Sequence, residues 1–208
     1  MDVKNLIKLH KERKQSIKKR LEDFKKIQKK PDKDIFAELA FCVLTPQSKA
    51  FNCWNAVLEL RKSGLLCNGK HNEIGKVLQR KVRFHNTKAK HIVYNRRLLD
   101  RGLKNTIING KSNEMAREWL VENVKGYGFK EASHFLRNIG YRELAILDRH
   151  ILKYLVEFGV IEKVPKSLTK KNYMEIEEKF KQFSGRVGIP MDELDLLFWS
   201  LETGEIFK

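Results

Sequence analysis

Apolar residues recur along this chain three and four positions apart, the spacing that gathers them on one face of a helix. No segment keeps the strict alternation of a half-buried strand for more than a few residues. The pattern predicts helices over about 3–28, 33–44, 48–62, 72–80, 86–101, 113–123, 129–139, 149–158, 170–183 and 191–202. Their ends carry punctuation. Gly102, Gly140 and Gly159 each follow an apolar helix as left-handed caps, and Pro31, Pro46, Pro165 and Pro190 fall at breaks. Ser112, Asp148 and Thr169 offer side-chain oxygens as N-caps. The chain therefore reads as all-α.

Charge sharpens this picture. Among 208 residues, 43 Lys and Arg face 26 Asp and Glu, a formal charge of +17. The excess sits in two stretches: residues 1–30 hold 12 basic and 4 acidic groups, and residues 61–104 hold 13 and 2. Residues 105–208 balance at 16 and 16. Such a field favours a polyanion, and each cation that neutralises a phosphate releases a counterion. In residues 1–30 a solvated helix face explains the lysines equally well, since Leu6, Ile7, Ile17, Leu21 and Phe24 form an amphipathic stripe.

No run approaches the ~20 apolar residues of a membrane span, and the N-terminus lacks the apolar stretch of a secretory signal. The expectation is a cytosolic protein with no membrane partner. Three cysteines, Cys42, Cys53 and Cys67, make neither an even disulfide set nor the four thiolates of an iron-sulfur cluster.

The most informative stretch is Lys125-Gly-Tyr-Gly-Phe-Lys130, between two amphipathic helices. Gly126 and Gly128 suit a turn too tight for Cβ atoms, with Tyr127 between them, so that backbone N–H groups and the next helix's positive end can meet a phosphate. This is a helix-hairpin-helix at about 112–140. Lys-Gly-Tyr-Gly-Phe also matches the start of an RNA-recognition strand motif, but the residues that follow keep helical period. Lys130 occupies the first turn of the second helix, where the dipole disfavours a cation and so favours the neutral amine a nucleophile needs. Asp148 precedes the apolar helix Ile151-Leu-Lys-Tyr-Leu. Helix 129–139 carries the chain about 16 Å from Lys130, and an extended return over 141–147 spans up to about 23 Å. That length lets an ionised Asp148 come back beside the amine.

These residues resemble the helix-hairpin-helix, Gly/Pro-rich loop, aspartate superfamily of base-excision DNA glycosylases. GYGFKEASHFLRNIG followed by LAILDRHIL is most similar to the archaeal type 2 8-oxoguanine DNA glycosylase/AP lyases. The resemblance implies two helical subdomains, 33–140 and 141–208 completed by 1–32, with the active site in the cleft between them. It implies that Lys130, assisted by Asp148, attacks C1′, displaces the oxidised guanine from double-stranded DNA and leaves a Schiff base that β-eliminates. No metal or redox cofactor is implied, while a monovalent cation at the hairpin stays open. A monomer is expected.

Arg83-Phe84-His85-Asn86 resembles the family's inserting loop, with Phe84 or His85 as the wedge, Asn86 on the orphaned cytosine and Lys88 beside the DNA. Phe84 reads equally as a core residue. Gln47, in Thr45-Pro46-Gln47-Ser48, resembles a void-filling residue. For reading the extruded base the resemblance points to Asp195, Trp199 and the terminal Lys208, and Trp199 reads equally as a core residue. His134 and His150 read as structural. A helix-hairpin-helix glycosylase for another lesion and a non-catalytic DNA-binding module are the alternatives.

Overall fold

The computed structural model describes residues 1–108 and 111–208, and among them every regular element is a helix. The chain divides into two compact units, Ile27–Phe135 on one hand and Met1–Lys26 with Leu136–Lys208 on the other.

The first of these units is built around α2 (Asp32–Leu44), in which every residue from Ile35 to Leu44 is buried. A helix apolar on all sides has to be enclosed. Here α3 (Ala50–Lys62), α6 (His85–Asn95) and α8 (Leu103–Ile108) pack against it, and α5 (His71–Leu78) packs on α6. The predicted helix over 86–101 is broken into α6 and α7 (Arg97–Asp100). Arg96, at the break, sends Nε, Nη1 and Nη2 to the carbonyls of Leu66, Gly69 and Leu65, which end the short α4 (Leu65–Asn68). A charged group that binds three carbonyls, of which Leu65 O also takes the Gly69 N–H, outweighs one uninterrupted helical turn. Helices α4 and α8 went unpredicted because four to six residues carry too little periodicity to register.

The hairpin is formed by α9 (Asn113–Asn123) and α10 (Phe129–Asn138), whose last residues pass into the second unit. That unit holds α1 (Val3–Ile27, up to Lys26), α11 (Arg149–Glu157), α12 (Lys170–Val187) and α13 (Met191–Thr203). The stripe on α1 buries Leu6, Ile17, Leu21 and Phe24 as expected, along with His10. His10 Nε2 lies 2.6 Å from Glu193 Oε2, and Arg13 donates to Ser200 Oγ at 2.7 Å, so α1 docks on α13. Phe198 on α13 stacks on Tyr154 at 4.6 Å between centroids and on Phe158 at 5.8 Å. Such ring pairs contribute about 0.5–1.5 kcal/mol each beyond area burial.

The caps follow the sequence closely. Ser112, Asp148 and Thr169 each accept a backbone N–H of the first turn. Gly102, Gly140 and Gly159 adopt φ of 71°, 93° and 65°. At Gly140 a Cβ would also meet Lys25 Cα at 2.8 Å, so glycine is required there by packing as well as by φ. No helix among the described residues is long and apolar enough to cross a membrane.

Candidate active site and nucleic-acid interface

Within the Ile27–Phe135 unit the hairpin turn is held from beneath. The buried Asn95 side chain receives Lys125 N–H at 2.9 Å and donates to Lys125 O at 3.0 Å. Tyr127 donates its hydroxyl to Leu39 O at 2.9 Å and is only 8% exposed. The Tyr127 side chain is thus a core anchor and not a DNA contact. An aromatic with one polar tip finds a buried carbonyl in place of solvent. Gly126 has φ 92°, and a Cβ there would lie 2.6 Å from His91 Nδ1, so both conformation and space demand glycine. Gly128 differs from expectation. Its φ is not left-handed, and a Cβ would meet only Glu131 Oε2 at 3.4 Å, an ordinary contact. Gly128 precedes α10 as its N-cap, and its N–H is taken by Glu131 Oε2 at 3.2 Å. With Lys125 N bound to Asn95 and Tyr127 N bound to Val124 O, the hairpin commits three of its N–H groups internally. Gly126, between Lys125 and Tyr127, is exposed.

Lys130 stands at the second position of α10, with its side chain 22% exposed and Nζ 3.3 Å from Glu131 Oε1. Glu131 therefore does two things, closing the helix start as a capping residue with one oxygen and pairing with the lysine through the other. The sequence reading missed it, although a glutamate three residues after Gly128 is the spacing of a capping box. Cys53 belongs to the same neighbourhood. Burial pushes its thiol up to about 11, despite the opposing fields of Lys88 and Lys130, so it stays a neutral packing group.

Arg83, Phe84 and Asn86 are exposed. Phe84 is 56% exposed and caps α6 with φ 56°, and the Arg83 guanidinium lies 5.5 Å over its ring. The core alternative for Phe84 is thereby excluded. His85 opens α6 and is half-buried, while Asn86 is exposed, with its Oδ1 where a Cβ at Gly75 would come within 3.1 Å. Gln47 is exposed too, with φ 55°. Lys88 corrects the expectation made for it. It is 5% exposed, and its Nζ donates to Leu44 O at 2.8 Å, Pro46 O at 2.6 Å and Ser48 Oγ at 3.1 Å. The end of α2 leaves carbonyls without helical partners, and this ammonium satisfies them instead of a phosphate. Burial draws its pKa down to about 8, with Lys130 and Arg83 acting in the same direction.

In the second unit Asp148 caps α11, and both bonds, from His150 N at 2.8 Å and Ile151 N at 2.9 Å, land on Oδ1. His150 pairs with Glu202 at 3.6 Å, in line with a structural role. His134, in the other unit, is buried with its ring edge-on to Phe41. Trp199 is half-buried, with its ring 6.2 Å from Phe207, and the terminal Lys208 is buried. Arg20 donates to Phe207 O and lies over the Phe24 and Phe207 rings at 5.2 and 5.9 Å, fixing the C-terminal segment to α1. Asp195 requires correction. Its carboxylate is buried and pairs with Arg137 Nη1 at 3.1 Å, a bond that joins α13 to the end of α10. A carboxylate buried in this way needs its cation, so the pair is scaffolding and not a base reader.

Residues 17–189 match a family model described as 8-oxoguanine DNA glycosylase. An 8-oxoguanine DNA glycosylase/AP lyase of Fusobacterium nucleatum is 48% identical over 97% of this chain and 95% of its own. The crystal structure of the Methanocaldococcus jannaschii 8-oxoguanine DNA glycosylase superposes with a TM-score of 0.90 at 36% identity, covering 99% of this chain and 95% of that one. The same archaeal glycosylase/lyase in complex with a 15mer DNA containing 8-oxoguanine gives 0.89 at 36% identity, covering 98% and 99%.

Proposed function

The chain belongs to the 8-oxoguanine DNA glycosylase family, and on that footing we propose that it excises 8-oxoguanine from duplex DNA and then nicks the strand, with Lys130 as nucleophile and Asp148 as the supporting carboxylate. The observation that carries this reading is the placement of an accessible amine in the first turn of α10, directly after a glycine hairpin, with the Glu131 carboxylate 3.3 Å from it. Apart from catalysis, a lysine there works against the helix dipole.

In this mechanism the neutral Nζ attacks C1′ of the extruded nucleotide. The glycosidic bond breaks, and the base leaves with its electron pair and takes up a proton. Ionised Asp148 stabilises the positive charge that grows on the sugar. The sugar ring opens to an imine on Lys130, a proton leaves C2′, and the C3′–O bond breaks to release the 3′ phosphate. Phe84 and Gln47 occupy the space left in the stack, as extrusion of a base requires. Trp199 and Lys208 read the base. Amine and carboxylate suffice for these steps, without metal or redox group, and one chain supplies them all.

Borohydride reduction tests the reading. Wild-type protein with an 8-oxoguanine duplex yields a covalent protein–DNA adduct, and Lys130→Gln yields none while still binding the lesion. A Lys130→Gln protein that traps and cleaves like wild type refutes the assignment. A wild-type protein that binds DNA without any adduct is a binding module instead.

A further inference from the structure

Three exposed residues of the Ile27–Phe135 unit, Gln47, Arg80 and Phe84, hold left-handed backbone at φ 55°, 65° and 56° without being glycine, and two of them, Gln47 and Phe84, are linked. Side chains rarely adopt that conformation unless the surroundings impose it. The two lie 37 residues apart in sequence, yet a single small network ties their backbones together. Ser48 Oγ accepts the Arg83 N–H at 3.0 Å, so the residue after Gln47 holds the residue before Phe84. Lys88 Nζ, one helical turn after Phe84, donates to that same Ser48 oxygen and to Pro46 O and Leu44 O, on either side of the turn that carries Gln47. The Lys88 N–H bonds to Phe84 O at 3.0 Å, which closes the circuit.

We infer that Lys88 and Ser48 are positioning residues that lock Gln47 and Phe84 into one two-pronged inserting device, whose prongs enter the DNA stack together. The inference rests on the proposed glycosylase reading and deepens it. Each prong sits on a turn whose geometry the other turn supports, so loosening the shared hydroxyl or ammonium releases both. Lys88 carries no substrate contact in this scheme. Its burial beneath the turn, with Cys53 and Glu131 also within its electrostatic reach, suits a fixed strut.

The test separates base extrusion from chemistry. Ser48→Ala, Ser48→Thr and Lys88→Met are compared with wild type on two DNAs, an 8-oxoguanine duplex in single turnover and a single strand bearing a preformed abasic site in borohydride trapping. The second substrate has no base to extrude. Ser48→Ala and Lys88→Met are expected to lose about 10- to 100-fold on the duplex, the rate equivalent of one charge-assisted hydrogen bond. Trapping on the abasic strand stays within about threefold of wild type, and Ser48→Thr, which keeps the hydroxyl, recovers the duplex rate. In a double-mutant cycle, Ser48→Ala costs little more once Gln47→Ala and Phe84→Ala have removed both prongs. If Lys88→Met fails to fold, the Ser48 series gives the same answers.

Equal losses on both DNAs overturn the inference by placing the network at the reacting centre. Full additivity in the cycle overturns it by uncoupling the prongs. Wild-type protein that traps neither DNA is a different result, one that removes the Schiff-base reading and this inference with it.

Discussion

The N-termini of α10 and α11 present the same backbone feature with opposite chemistry. At α11 the cap is an aspartate that accepts two N–H groups, so its negative charge and the helix dipole agree. At α10 the cap is a glycine, the negative charge is supplied by Glu131 reaching back, and the second helical residue is a lysine. The first arrangement is what stability alone selects. The second places a cation where the dipole opposes it and a carboxylate where it partly compensates, a compromise that stability does not call for. In the proposed reaction the conflict at α10 and the agreement at α11 serve its two halves.

The largest effect is expected where the conflict sits. Lys130→Gln should remove imine formation altogether, a rate loss of several orders of magnitude in single-turnover excision. Thermal unfolding should show no loss of stability, because the helix start is relieved of an unfavourable charge. A destabilised protein would mean that Lys130 is held by contacts other than Glu131.

At α11 the charge and the cap can be separated. Asparagine caps as well as aspartate, so Asp148→Asn should leave stability within about 0.5 kcal/mol while excision falls about 100-fold or more. Asp148→Ala should lose about 1 kcal/mol in addition. Denaturant unfolding read beside single-turnover kinetics checks both, and an Asp148→Asn protein of wild-type rate would reduce Asp148 to a cap.

Glu131→Gln is expected to have a smaller effect. Glutamine still serves the capping box, so stability is kept, while the ion pair with Lys130 is lost and excision slows by about tenfold. If only Glu131→Ala is impaired, and in stability and rate alike, the residue is purely a cap.

The smallest effect is a pH dependence of folding at Lys88. Its folded pKa of about 8 lies below the ordinary lysine value of 10.5, chiefly through burial. Between these values the unfolded chain binds more protons than the folded one, so this group's contribution to stability rises with pH across that window. Lys130 and Arg83 push its pKa down, whereas Cys53 and Glu131 push it up. The stability of wild type relative to Lys88→Met should therefore improve from pH 7 to pH 10 in parallel denaturant titrations. A flat difference would mean that Lys88 titrates as an exposed lysine does.

Local signals made much of this molecule legible in advance. The periodicity gave the longer helices, and Ser112, Asp148 and Thr169 cap as their residue types and positions suggest. Lys130 stands out because it breaks a local electrostatic rule, and Phe84 is exposed and not a core residue. Lys88, Tyr127 and Asp195 were misjudged for one shared reason. Each is a polar group whose partner lies far away in sequence: Lys88 on the carbonyls of Leu44 and Pro46, Tyr127 on Leu39 O, and Asp195 on Arg137. A lysine in a basic stretch looks solvated until the chain folds carbonyls around it.

The sequence by itself determined the helical class, the glycine hairpin, the lysine that follows it and the aspartate that starts a later helix, because each depends on neighbours within a few residues. Only the tertiary structure decided which cations face outward and which are struts, and that Asn95 and Tyr127 hold the hairpin from below. It alone brought Ser48 to the Arg83 backbone. Hydrogen bonds between distant segments form according to where packing leaves unsatisfied carbonyls and N–H groups, and that depends on the whole fold.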